Sequence, residues 1–308
     1  MKHQHIINAV AACLFSIFVI NASGEQGQFH PAKGKTIEQT LKEAKAEHNT
    51  RVAARRAELP LLKKKLQDEK KPSRREEIVS SLGETEDGQA ITPLIEVLQN
   101  QNEPLRVRQV TVEALYKLYR PGLASGKSLN ASDKQKILTP MKEAYSKEQG
   151  ELKCSLASNL YQMGEKKAVR AGIMECLKAG RWASLHAFYY GRISDGVMIQ
   201  TSIPGESNPI KVDEDAHELL KEASGVGYPE EIRVKAADML VKLGDKDAAL
   251  KAGKDVVENG KVFEWRVRAL ELMCKIGTPE AKGVLDNALS VKELKTVTED
   301  ILKWSWGK

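Results

Sequence analysis

Between residues 182 and 192 the chain sets an indole (Trp182), an imidazole (His186), two phenols (Tyr189 and Tyr190) and a guanidinium (Arg192) close together. On a helix, 182, 186 and 190 fall at four-residue steps on one face, with 189 beside them. Such a face could hold a sugar, an aromatic group or a partner's peptide, and its imidazole can exchange a proton near neutral pH. The same rings could instead fill the core of a helical repeat. Residues 192–212 then lose helical periodicity: 197–203 is strand-like in content and 204–209 is rich in turn formers. Gln200, inside this insertion, joins the aromatic group as a candidate binding residue.

A second set of chemistry-bearing residues recurs at intervals. Arg108, Lys153, Arg233 and Arg266 each open an apolar run, helped by Arg106, Lys235 and Arg268. A cation near a helix start gains nothing from the macrodipole. Each is therefore expected to meet a specific carboxylate in a neighbouring repeat, with Glu230 and Glu231 as examples beside the basic run. Recognition of an anion by a ladder of these cations is the competing reading.

The usual catalytic arrangements are missing from the sequence. It has no His-Glu-x-x-His, Gly-x-Ser-x-Gly, phosphate-binding glycine loop, dinucleotide fingerprint or Cys-x-x-Cys. Beyond residue 24 the histidines are His30, His48, His186 and His217, none with metal-ligand spacing. No paired carboxylates are placed for glycoside hydrolysis. We therefore assign no catalytic residue, metal or cofactor from the sequence.

The elements that must position these residues show themselves by repetition. Residues 233–244 (RVKAADMLVKLG) are echoed by 266–277 (RVRALELMCKIG), with a basic first position, Val second, Ala fourth and Gly twelfth. Such an echo calls for a repeat reading. Residues 108–119 and 153–164 fit the same template, and 72–83 fits more loosely. Val234, Ala237, Leu240 and Val241 recur at helical steps, widened by Ala236 and Leu243. Gly164, Gly244 and Gly277 stand where a left-handed residue ends a helix. A second helix follows each run, and Pro279 suits a first helical turn. One such hairpin cannot bury its own apolar faces, so neighbours must stack.

The run Arg-x-x-Ala/apolar-x-x-Leu-x-x-Leu-Gly, followed by an Ala- or Pro-led second helix, resembles the HEAT repeat family. It is closest to the short variety also found in bilin-lyase-related proteins. The likeness is good over residues 230–291, fair over 72–190 and absent from the first thirty. It implies an all-α superhelix, right-handed, of about six stacked hairpins with an irregular insertion at 192–212. It implies no activity, because scaffolds, transport adaptors and some enzymes share such folds.

The rest of the chain frames that array. Lys2, His3 and His5 precede an almost wholly apolar stretch, 6–20, and small residues follow at 21–24. This is the pattern of a secretory signal peptide over 1–24; the apolar stretch is short of the ~20 residues a span needs. Residues 25–71 are expected to form a flexible leader and an N-terminal helical cap, with Ile37, Leu41, Ala44, Val52, Arg55 and Leu59 on one thin face. Pro60 is expected to interrupt it. The basic cluster from Arg51 to Arg75 reads as a solvated end cap or an anionic docking patch. Repeats over 72–191 and 213–308 follow, and a capping box at Ser132 and Gln135 begins one helix. A final run over 291–306, with Leu294, Val297, Ile301, Leu302 and Trp304, is expected to seal the last hairpin.

The formal charge of +6 is mild and spread out. It permits an anionic partner without indicating one, and it lacks the dense stripe of a nucleic-acid binder. Cys154 and Cys176 lie on successive helices of one hairpin and either pair or serve as small core residues; Cys274, between Met273 and Ile276, reads as core. The function expected is an exported, non-catalytic scaffold, secreted or periplasmic, binding a protein partner. The alternative is a glycan- or small-ligand-binding protein or enzyme using 182–192. No nucleic acid is expected as a partner, and no integral span after signal cleavage.

Overall fold

Apolar residues at three- and four-residue steps, closed by glycine, fold here as helices. A computed structural model describes residues 37–120, 129–181 and 214–306. Among them are thirteen α-helices, one 3-10 turn (Gly88–Ala90) and no strand. The helices are α1 (Ile37–Asp68), α2 (Pro72–Gly83), α3 (Ile91–Gln99), α4 (Leu105–Tyr119), α5 (Ala131–Lys147), α6 (Gly150–Gln162) and α7 (Lys166–Lys178). They continue with α8 (Glu214–Ala223), α9 (Glu230–Lys242), α10 (Lys246–Asn259), α11 (Phe263–Ile276), α12 (Pro279–Ala288) and α13 (Lys295–Trp306). The signal peptide expected over 1–24, the leader that opens the 25–71 segment and the insertion at 192–212 lie outside the described residues. No described helix is long and apolar enough to cross a membrane.

The described residues fall into two compact units, with the boundary inside α7 between 170 and 171. In the first, α2, α4 and α6 pack side by side, α3 packs on α4 and α5, α5 packs on α6, and α1 lies on α2. Val79, Leu82, Leu94, Leu98, Val112, Leu115, Leu156 and Leu160 fill the space between them. In the second unit α9, α11 and α13 stack, α10 packs between α9 and α11 and beside α12, and α8 lies on α9. Its core holds Leu219, Ile232, Leu240, Val256, Leu270, Met273 and Leu285. Each unit is an all-α stack of helical hairpins.

The terminal glycines behave differently from one another. Gly164 and Gly244 are left-handed, at φ 101° and 85°. Each takes part in a pair of closing bonds: Gly164 N–H to the Tyr161 carbonyl with Glu165 N–H to Leu160, and Gly244 to Val241 with Asp245 to Leu240. Gly277, at φ 67°, makes the single bond to Met273. Gly83 is not a left-handed stop. A Cβ there would lie 2.7 Å from the Ala114 Cα, so this glycine lets α2 and α4 approach closely.

Several other expectations need correcting. Pro60 does not interrupt α1, which runs through it. Val52, Leu59, Leu62 and Leu66 form one buried stripe on both sides of it. At ~1.5–3 kcal/mol per buried apolar side chain, that stripe outweighs the ~3 kcal/mol cost of an interior proline. The α5 cap is Asn130, whose Oδ1 accepts from Asp133 N–H at 2.8 Å, so the start falls two residues before the Ser132 box. In the basic cluster, Arg56 is not a solvated end charge. It donates to the carbonyls of Thr85 (2.8 Å) and Glu86 (3.0 Å), bracing a loop where Glu86 has φ 48°. Trp304 does not seal the last hairpin: Leu294 is fully buried, but Trp304 is 80% exposed. Cys154 and Cys176 are both disulfide-bonded, and Cys274 is a free thiol, half-buried rather than core.

Candidate interaction surface

The recurring arginines share one arrangement. Arg108, at the start of α4, donates through Nε to the Leu98 carbonyl in the last turn of α3 (2.9 Å) and through Nη2 to Glu148 (2.5 Å). Arg266, at the start of α11, donates through Nε to the Val257 carbonyl near the end of α10 (3.0 Å) and through Nη1 to Glu293 (2.8 Å). Arg233 reaches the Ser224 carbonyl just past α8 (3.5 Å) and pairs with Asp255. Arg75, in α2, donates to the Leu66 (2.5 Å) and Glu69 (2.8 Å) carbonyls at the end of α1 and grips Glu103 with two nitrogens.

Each cation thus sits at the C-terminal end of the preceding helix, where unsatisfied carbonyls and the dipole favour positive charge. This explains an arginine at a helix start. The fork of donors serves a carbonyl and a carboxylate at once, which an ammonium holds less rigidly. Lys153, at the equivalent position of α6, lies over the Tyr145 ring at 5.8 Å.

The carboxylates respond to this company. The hydrogen bond from Arg108 holds Glu148 below its ordinary pKa, with burial opposing and Gln101 assisting. Arg233 does the same for Asp255, again against burial, with Asn259 contributing. Glu230 and Glu231 are not the partners of Arg233. Glu231 pairs with Lys235 at 2.7 Å, and Glu230 accepts from the Lys261 (2.6 Å) and Val262 (3.1 Å) amides just before α11. Arg106 comes within 3.7 Å of Glu76, and Arg268 within 3.0 Å of Glu271, both at the surface.

These staples fix α1, α3 and α5, which border two clefts of the first unit. One, of about 910 Å³, is lined by Lys63 and Gln67 of α1, Lys70 after it, Thr92, Pro93 and Glu96 of α3, and Asn100 and Asn102 beyond. The stapled Arg75 and Glu103 form part of its wall. The other, of about 760 Å³, lies between α3 and α5 and is lined by Thr92, Glu96, Gln99, Ser132, Gln135 and Thr139. The two clefts lie on either side of α3 and share its Thr92 and Glu96; together they are called the trough below. Its walls mix amide, hydroxyl and charged groups with apolar side chains, among them Leu66 and Val97 on one side and Ile91, Ile95 and Pro140 on the other.

The sequence-derived binding residues Trp182, His186, Tyr189, Tyr190, Arg192 and Gln200 lie outside the described residues. The clefts beside α3 are a separate candidate surface, built from described residues alone. The described histidines both face carboxylates: His48 meets Glu86 at 3.1 Å, and His217 meets Asp245 at 2.8 Å. Burial alone would raise the Asp245 carboxyl, but the Ala248 amide, His217 and Lys221 hold it below its ordinary value. No group of three metal-ligating side chains converges among the described residues.

Residues 74–100 match the model of the PBS lyase HEAT-like repeat, a span that covers most of α2 and all of α3. That segment is thus similar to a HEAT-like repeat, set in an all-α array of helical hairpins. Human deoxyhypusine hydroxylase in complex with glycerol is a similar solved structure, aligned over 100% of this chain and 98% of its own, at 14% identity and a TM-score of 0.31. A superposition that loose bears on neither activity nor ligand. No curated protein sequence matches the chain significantly. The matched HEAT-like repeat contains both Arg75 and the α3 side chains shared by the two clefts.

Proposed function

We propose that this protein is an exported, non-catalytic interaction scaffold that receives a protein partner along the trough of its N-terminal HEAT-like repeats. The observation that carries this reading is the pair of clefts that flank α3 and share Thr92 and Glu96. A trough bordered by three helices offers a long, pre-formed surface, and such preorganisation lowers the ordering cost of binding. Export is supported by the apolar stretch at 6–20 and by two disulfide-bonded cysteines, which persist in oxidising compartments. A photo-crosslinking amino acid placed at Thr92, and separately at exposed Glu113 on α4, tests the partner reading in producing cells. A discrete protein adduct from position 92 and none from 113 supports it. Equal labelling, or none from 92, rejects the trough as the binding surface.

A further inference from the structure

We propose that α13 pairs antiparallel with the α13 of a second copy of this chain, a step that goes beyond the scaffold reading and uses neither cleft. In the second unit α9 packs against α8 and α11, and α11 against α9 and α13. With neighbours on both sides, α9 buries Val234, Ala237 and Leu240, and α11 buries Ala269, Leu270, Met273 and Ile276. α13 packs on α11 and α12 and is the last described helix. Thr298, with Leu294 just before the helix, is fully buried; Val297 and Ile301 are half-buried, and Trp304 is 80% exposed. Residues 297, 301 and 304 follow at steps of four and three, so they form an apolar stripe along one side of α13. Tryptophan is enriched among the residues that carry binding energy at interfaces.

This stripe and the charges beside it complement themselves. Asp300 and Lys303 flank the stripe on the same side and are both exposed at the surface, 3.5 Å from each other. An antiparallel pair that sets Lys303 level with Asp300 of the second copy has its midpoint between 301 and 302. At ~1.5 Å per residue, Trp304 then stands ~3 Å along the axis from both Val297 and Ile301 of the second copy. It enters between them as a knob enters a hole. One register thus satisfies the apolar packing and two interchain ion pairs. A parallel pair in register would instead set Asp300 on Asp300 and Lys303 on Lys303, and like charges repel. Because residue i meets residue j and j meets i, the contact is isologous and closes at two copies. A single helix face is at the small end of interfaces, below ~1,200 Å² in total, so the pair is weak, with a dissociation constant of about 1 µM or more. Two copies joined in this way hold a bivalent partner by avidity.

Sedimentation equilibrium of the protein purified from producing cells, over ~1–300 µM, tests this. The average mass is expected to rise from one copy towards two as concentration increases. Trp304→Ser and Asp300→Lys should each weaken the association about tenfold or more. Asp300→Lys combined with Lys303→Asp should restore it, because the exchange again opposes unlike charges across the antiparallel pair. All three positions changed are exposed, and an unaltered melting temperature confirms that each variant folds. A single copy throughout the range overturns the inference; cover of the stripe by the chain's own residues 182–213, or by a different protein, gives that result. A dimer indifferent to Trp304→Ser, a double exchange that restores nothing, or growth beyond two copies overturns it as well. None of these outcomes bears on the Thr92 adduct, so the scaffold reading stands or falls separately.

Discussion

Arg108 and Arg266 make the same two kinds of bond in different surroundings, and the surroundings decide what each contributes. Glu148 keeps only 15% of its side chain exposed, whereas Glu293 keeps 59%. Removing the cation from a buried pair strands a charge, while an exposed carboxylate is rehydrated. Arg108→Ala should therefore cost about 3 kcal/mol and Arg266→Ala about 1 kcal/mol, read by urea unfolding. The pH dependence follows the same bonds. The folded-state pKa values of Glu148 and Asp255 are depressed, so their stabilisation is complete above the unfolded value and is lost as pH falls through the folded one. Melting temperature should drop below roughly pH 4, and less steeply in Arg108→Ala. The sequence displayed three of these arginines and their need for an acid. It could not display Glu148, 40 residues away, nor a carbonyl, which every residue has. Arg75 escaped the template because it stands where the other copies carry Thr111, Leu156, Ala236 and Ala269, although its partner Glu103 lies in the loop before the next hairpin, as Glu148 does.

Helices were legible where apolar spacing and glycine agreed, and illegible where packing overruled a local signal. α9 and α11 fall within a few residues of the stretches singled out by the echo, yet Pro60 and Gly83 each do something their local chemistry does not announce. Gly83→Ala would drive a methyl against the Ala114 backbone, 2.7 Å away, while Gly253→Ala meets first the mobile end of Met273. The first cannot be relieved without separating α2 from α4. It should cost about 1–3 kcal/mol. The second should be nearly neutral, because helix propensity returns about 0.5–1 kcal/mol as the methionine shifts. Thermal unfolding of the two variants would show the order, and a reversal would mean that α2 can slide. Asn130 teaches a similar lesson about α5. Ser132 and Gln135 satisfy the capping pattern, but an asparagine two residues earlier is as good a cap, and sequence spacing alone does not choose between them.

Across the whole chain, the helical-hairpin architecture was the most legible property and the proposed binding surface the least. Repetition is written along the sequence, whereas the trough gathers Gln67, Thr92 and Gln135 from three separate helices, each an ordinary exposed polar residue by itself. The aromatic group at 182–192 attracted notice because its members are neighbours in the chain. Cysteine chemistry gives a test at this scale. Denatured without reductant, the protein should be alkylated at Cys274 and not at Cys154 or Cys176, which should react only after reduction; peptide mass mapping would show modification at all three if the bond were absent. The arginine staples, finally, bear on how the chain is made. The carbonyl of Leu98 waits for Arg108, 10 residues later, and Arg108 waits for Glu148, 40 residues later. At ~5–20 residues per second, the end of α3 goes uncapped for up to about two seconds of translation, and the cation that caps it lacks its counter-charge for several more. Each hairpin leaves the ribosome unfinished until its successor arrives, so a pause in synthesis just before residue 108 would expose the last turn of α3.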